Sequence, residues 1–319
     1  MLGLENHSIT EKQSLMLENG SIIFNHYKVV EKIFHGAFSI VYKVYDEDDS
    51  KYKCMKVEIK DDNKYTSMIN HEFHISQMVD SKYICKAYEY HGDSIIMEML
   101  SNNLANIRRL RMNPPSISML LNITVNMLRC LDALDKKGIV HCDIKPSNFA
   151  IRKYENDYDV VLLDFGLSYF AGEDKSISDF RKKLERNPRY LTIHTIETNE
   201  WNENDDVGAL IYTISDFWKN ELPWDGRTTK NTVMEIKNGY NLYSLLPNEL
   251  SFLIQHRNES VSFLCEIAEN ELKKYKRNIK EEIHYLFDPQ DKDWKPKIVN
   301  YVFENKDQKR KYKNQHSAF

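Results

Sequence analysis

The sequence predicts an α+β fold in two lobes, a small strand-rich lobe with one helix followed by a larger helical lobe. Two observations carry this. Residues 22–60 hold runs of β-branched and aromatic residues, and from residue 102 onward the apolar residues adopt helical spacing. A third concerns size: 319 residues, 41% of them hydrophobic and 29% charged, can bury a substantial core.

The strand signals come first. Tyr27-Lys28-Val29-Val30, Ile40-Val41-Tyr42-Lys43-Val44 and Tyr52-Lys53-Cys54-Met55-Lys56-Val57 are separated by polar turns. Residues 64–79 change period, and Met68, Phe73, Ile75 and Met78-Val79 fit a short helix. Ser94 to Leu100 reads as a further strand. Ile117 to Lys137 is a long helical pattern ended by Gly138, which suits a C-cap. Helical patterns return at 204–219 and within 243–287. The expected layout is an N-terminal flank over 1–21, one domain over 22–296 and a charged tail over 297–319, with the lobes meeting near residue 100. There is no internal repeat.

Composition narrows the setting. The formal charge of −4 favours neither nucleic acid nor an acidic surface. The five cysteines form no CxxC pair and no metal-like spacing, which points to free thiols in a reducing compartment. Residues 1–20 lack the pattern of a signal peptide. No window is expected to reach the roughly 18 apolar residues that cross a bilayer. The expectation is a cytoplasmic monomer without a membrane partner. Lys309-Arg310-Lys311 and Lys313 read as a solvated end, or at most a weak nuclear signal.

The chemistry concentrates in His141-Cys142-Asp143-Ile144-Lys145-Pro146-Ser147-Asn148, followed by Asp164-Phe165-Gly166. Phosphoryl transfer from ATP needs a group to orient the attacking hydroxyl and hard oxygen ligands for Mg2+. Asp143 suits the first task, and Asn148 and Asp164 suit the second. Lys145 can neutralise charge on the phosphate in transit. Val160-Val161-Leu162-Leu163 would seat Asp164 at the end of a buried strand. Ordinary loop carboxylates are the bland alternative, and the joint match of residue types and spacings argues against them.

These residues resemble the eukaryotic protein kinase superfamily, and so the two-lobed protein kinase fold. Within it the sequence is similar to the casein kinase 1 group, closest to the tau-tubulin kinase branch. The similarity rests on Asn103-Leu104-Ala105-Asn106-Ile107-Arg108-Arg109, Asp143 to Ala150, Arg189-Tyr190-Leu191-Thr192-Ile193-His194-Thr195, Asn204-Asp205-Asp206, Leu222-Pro223-Trp224 and Asp293-Trp294. The resemblance implies that Lys56 holds the ATP phosphates and pairs with a helix glutamate. Glu72 is the candidate, with Glu58 as runner-up. It also implies that Met97 is the gatekeeper and that Glu98, Met99 and Leu100 form the hinge. Ile33, Val41 and Cys54 would line the adenine site, and Asp206 would anchor the catalytic loop.

The sequence departs from this pattern in four places. The three glycine-loop positions hold Phe34, Gly36 and Ser39, so one glycine survives. Cys142 replaces an arginine that commonly binds an activation-segment phosphate; a buried, inert thiol is expected there over a redox-sensitive one. Arg186-Asn187 replaces Gly-Thr, and Ser101-Asn102 stands where relatives carry glycine.

Two functional classes follow. The leading one is an ATP- and Mg2+-dependent serine/threonine kinase acting on protein substrates, and the other is a binding or scaffolding pseudokinase. Residues 181–189 hold five basic residues and one acidic residue, a local sum of +4. The resemblance places this stretch before the substrate-binding part of the activation segment and implies that Lys183, Arg186 and Arg189 receive acidic or already phosphorylated substrates, with a solvated charged loop as the bland alternative.

Overall fold

The computed structural model describes residues 17–287 apart from 60–66, 112, 171, 172, 174, 185 and 228. Its N-terminal lobe is a six-stranded antiparallel sheet. The strands are β1 (Ile22–Ile23), β2 (Tyr27–His35), β3 (Ser39–Asp46), β4 (Lys51–Glu58), β5 (Ala87–Tyr90) and β6 (Ser94–Glu98), in the spatial order β1-β2-β3-β4-β6-β5. Alternation sets the inner face. Ile40, Tyr42 and Val44 of β3 point inward with Tyr27, Val29, Met55, Val57 and Ile96, while the intervening residues face outward. The first three strands expected from sequence are present and longer, the one expected over Ser94 to Leu100 ends at Glu98, and β5 adds an edge that its mixed Ala-Tyr-Glu-Tyr pattern did not signal.

Residues 17–21, assigned to the flank on sequence grounds, belong to this sheet. Gly20 N–H donates to the Val29 carbonyl (2.7 Å) and Val29 N–H to the Ser21 carbonyl (2.8 Å). Residues 288–319, with Asp293-Trp294 and the charged tail, lie outside the described residues.

Among the described residues this lobe has one helix, α1 (Met68–Met78), started by Ser67, whose side chain accepts from the Asn70 N–H. Glu58 at the end of β4 accepts from both Ser67 Oγ and the Met68 N–H, at 2.8 Å each. That carboxylate is committed to the helix start, which leaves Glu72, one turn further on, to face the sheet.

The second lobe is built on α3 (Ile117–Asp135). This 19-residue helix is apolar enough by length and composition to cross a membrane, contrary to the expectation from sequence. Its apolar residues are packed in the core against α6 (Glu203–Lys219) and α9 (Val261–Leu272). Around it run α2 (Leu104–Leu110), α4 (Lys175–Lys183), α5 (Ile193–Thr198), α7 (Lys230–Gly239), α8 (Phe252–Gln255) and α10 (Ile279–Leu286). Gly138 has φ +65°, a left-handed conformation just past α3 that suits glycine.

Four short strands shape the face toward the first lobe. β7 (Ile139–Val140) pairs with β10 (Tyr169–Phe170), and β8 (Phe149–Lys153) with β9 (Tyr158–Leu162). The loop from β7 to β8 carries Asp143, Lys145 and Asn148, and Asp164 follows β9. Leu163 N–H donates to the Asn148 carbonyl (2.8 Å), which ties the two segments together.

Candidate active site

Lys56 sits on β4 with its side chain largely buried. Its ammonium is 2.5 Å from Glu72 Oε2 and 2.8 Å from Asp164 Oδ1. Burial opposes the charge on Lys56, but the Asp164 and Glu72 carboxylates outweigh it and hold the ammonium above its usual range. The same burial pushes Glu72 up to about 6 against the pull of Lys56. One ammonium thus joins the sheet, α1 and the segment after β9.

Asp164 has φ +66°, a left-handed conformation that Asp tolerates better than most residues. Burial alone would raise its carboxyl, but Lys56 and then Lys145 hold it below the ordinary range. Its side chain keeps 45% exposure, so one carboxylate edge opens to the interlobe cleft.

The Asp143 carboxylate accepts from three side chains. Its Oδ2 accepts from Lys145 Nζ (2.6 Å) and Asn148 Nδ2 (3.0 Å), and its backbone carbonyl accepts from the same Asn148 amide (2.8 Å). Its Oδ1 accepts from Arg186 Nη2 (2.7 Å). Burial works against ionisation, but Lys145 and Arg186 override it and hold the carboxyl well below the usual range.

The loop beneath Asp143 is pinned from two sides. The His141 and Cys142 N–H groups both donate to Asp206 on α6, and the His141 ring meets the Leu163 carbonyl at 2.9 Å. Cys142 itself takes φ +65° and is buried, and burial raises its thiol well above the ordinary value. That environment fits the inert-thiol expectation.

Among the residues expected to line an adenine site, Cys54 of β4 lies opposite Met97 of β6, and Cys54 Sγ approaches Met99 Sδ at 3.2 Å. Ile33 is buried and Val41 half-buried. Leu100 packs with Ala150 and Val161, and Met97 and Leu163 border the same cluster. At the expected hinge, the Glu98 N–H donates to the Lys86 carbonyl (2.9 Å), and its carboxylate binds Arg152 and the Lys86 N–H. These contacts engage its N–H and its side chain. Neither Met99 nor Leu100 N–H has a backbone partner among the described residues.

The turn between β2 and β3 closes through Gly36 N–H to the Ser39 carbonyl (2.8 Å). A Cβ at Gly36 would come within 2.8 Å of the Phe34 ring, so Phe34, standing where relatives carry glycine, folds across the one glycine that survives.

The three residues expected to receive an anion are placed differently from one another. Arg189 is bound by Asp216 (2.7 Å) and by Asp225, and Arg186 is buried on Asp143; of the three, Lys183 alone is exposed. Internal carboxylates have claimed the two arginines, because both side chains point back into the lobe. Two further supports were not visible in the sequence. Arg181 of α4 forks onto Glu173 (2.9 and 2.6 Å) and onto the Leu167 and Ser168 carbonyls (2.7 and 2.5 Å). Lys237 of α7 is 2% exposed. Its ammonium donates to the Pro188, Arg189 and Leu191 carbonyls and lies over the Tyr212 and Trp224 rings. Burial pushes Lys237 down to about 7.

The donor set fits a hard cation. The Asn148 amide nitrogen is spent on Asp143, which leaves its side-chain oxygen, like the part-exposed Asp164 carboxylate, as a hard oxygen donor.

Comparison with known proteins agrees with this arrangement. The family model for the protein kinase domain matches residues 27–277. A probable serine/threonine-protein kinase of Dictyostelium discoideum is 27% identical over 76% of this chain and 52% of its own length. The casein kinase I homolog RAG8 of Kluyveromyces lactis is 25% identical over 72% of this chain and 45% of its own length. A probable casein kinase I homolog of Encephalitozoon cuniculi is 25% identical over 72% of this chain and 82% of its own length. The chain thus spans about half the length of the first two.

Proposed function

The chain belongs to the protein kinase domain family, and on that premise we propose that it transfers the γ-phosphoryl group of ATP to serine or threonine hydroxyls of protein substrates. The single observation that carries the proposal is the ion-paired line from Glu72 through Lys56 to Asp164, with Asp143 and Asn148 beside it. In this reading Lys56 and Gly36 hold the phosphates. Ile33, Val41, Cys54 and Met97 enclose the adenine, and the Met99 and Leu100 backbone meets its edge. Asn148 and Asp164 would hold Mg2+, which supplies positive charge beside the phosphates when bound. Asp143 orients the substrate hydroxyl and takes its proton, and Lys145 balances charge on the transferred group. Positioning and electrostatics supply the acceleration, since no covalent intermediate with the protein is needed.

We place the chain nearest the tau-tubulin kinase branch of the casein kinase 1 group, on the strength of Asn103–Arg109 and Arg189–Thr195. A preference for acidic or already phosphorylated substrates rests on the +4 of residues 181–189. Lys183 is exposed to meet such a substrate and Arg189 would exchange an internal carboxylate for an external one, whereas Arg186 is paired with Asp143.

The test is phosphate transfer by purified protein to a peptide library with ATP and Mg2+, with Asp143→Asn as the control. Transfer that the control loses supports the enzyme. One observation favours the second reading, a nucleotide-binding pseudokinase: Arg186 stands on Asp143. Nucleotide binding without transfer in every condition would select it.

A further inference from the structure

The contacts of Asp143 fall into two groups with different consequences. Lys145 and Asn148 lie on its own loop and hold Oδ2, and Asn148 also fixes the backbone carbonyl. With the Asp206 anchor below, they define where this carboxylate points. Arg186 arrives from a segment 43 residues away and takes the other oxygen, Oδ1, at 2.7 Å. The orientation of Asp143 is complete without it.

Arg186 is also a poor structural fastener. Its guanidinium packs over the Trp201 ring, 5.0 Å from the centroid, and its side chain is 6% exposed. Yet Nη1 is buried with no hydrogen-bond partner among the described residues. A buried donor left unpaired is costly, and native structures rarely retain one where a purely architectural bond is wanted.

We propose that Arg186 is a cap on Asp143 that the peptide substrate displaces, making it a residue that sets the apparent affinity for the phosphoacceptor. The proposal rests on Asp143 being the group that receives the substrate hydroxyl. In the resting protein Oδ1 is covered by a charge-assisted hydrogen bond. Substrate binds the uncapped fraction, so its apparent affinity is lowered by that fraction. The orphaned Nη1 keeps the capped state shallow, and the Trp201 ring gives the guanidinium a surface to rest on after it releases the carboxylate. ATP makes no demand on Oδ1, so nucleotide affinity is independent of the cap.

The experiment compares wild type with Arg186→Met, which keeps the packing on Trp201 and removes every donor. KM for the peptide falls by about tenfold on removal of one charge-assisted bond, while kcat and KM for ATP stay within about twofold. A second measurement does not depend on turnover: carbodiimide-driven coupling of an amine to the Asp143 carboxyl, followed by peptide mass spectrometry, runs faster in the variant. A variant that melts like wild type but shows an unchanged or higher peptide KM overturns the cap, as does unchanged Asp143 coupling. If neither protein transfers phosphate, the kinase reading fails and the coupling rate alone decides the cap. If the methionine variant melts early, Arg186→Gln is read in the same way.

Discussion

Asp206 accepts hydrogen bonds from two consecutive backbone amides, His141 N–H at 2.6 Å and Cys142 N–H at 3.0 Å. The side chain that positions the loop of Asp143 thus lies on α6, 65 residues further along the chain. Its carboxyl is pushed up to about 7 by burial, with the two amides pulling the other way.

Asp206→Ala leaves both buried amides without an acceptor, at about 1–3 kcal/mol each. Removing a buried carboxylate relieves part of that cost. The effect on melting is therefore smaller than the effect on turnover, which falls by about a hundredfold as Asp143 drifts. Paired melts and kinetics on one preparation check this, and a variant with normal turnover would unseat Asp206 as the anchor.

Asp164→Asn reduces phosphoryl transfer by at least about a thousandfold, the scale of losing a strong electrostatic stabiliser. Asparagine is the informative change, since it tolerates the left-handed φ of +66° that alanine resists. The fold is expected to survive, because the carboxylate sits at the cleft and not in the core. Near-wild-type turnover in a clean preparation would remove Asp164 from the site.

Glu72 and Asp206 both contribute to the acid limb of the pH–rate profile, since burial raises them to about 6 and about 7. Asp143 is held well below its usual range and stays ionised, whereas Glu72 protonates near about 6 and loosens its hold on Lys56. Activity falls as pH drops through those values. Stability moves the other way at this residue, because a carboxyl raised in the folded chain takes up its proton there before the unfolded chain does. Between about pH 6 and the unfolded value near 4.3, acid favours the folded state of wild type over that of Glu72→Gln. The difference in melting temperature between the two should therefore shift toward wild type on acidification. A shift in the opposite direction contradicts the assignment.

Activity does not depend on activation-segment phosphorylation. Cys142 offers no fork for a phosphate, and Arg181 and Arg189 are already paired with Glu173, Asp216 and Asp225. Protein treated with a phosphatase and then freed of it keeps its rate to within about twofold. A large fall that is reversed by rephosphorylation within residues 167–190 would contradict this.

The parts of the site that were legible in the sequence share one property: their geometry is set locally. Asp143, Lys145 and Asn148 lie within one loop, and Asp164 follows directly from a buried strand, so spacing alone brings them together. The pairing of Lys56 with Glu72 needed a helix to lie across the sheet. The rival Glu58 was excluded only when its bonds to Ser67 and Met68 were seen. Arg186 on Asp143 and Lys237 beneath Pro188 were not legible. In a charged stretch or an amphipathic helix, a basic residue reads as solvated. Both reach their partners across folded distance, where packing decides. The same limit applies to the expected anion receptor, since a local charge sum says nothing about internal carboxylates such as Asp216.

The sulfur pair on the cleft wall bears on how the site could be targeted. A cysteine beside a nucleotide pocket invites an electrophilic warhead, but burial pushes the Cys54 thiol up to about 12. At neutral pH its thiolate fraction is then on the order of one in 100,000, too small for useful covalent capture. Cys54 and Met99 instead give that wall a soft, polarisable surface 3.2 Å across from sulfur to sulfur. Reversible ligands with a flat aromatic or heavy-halogen edge should gain there, and acrylamides aimed at Cys54 should gain nothing over their saturated analogues.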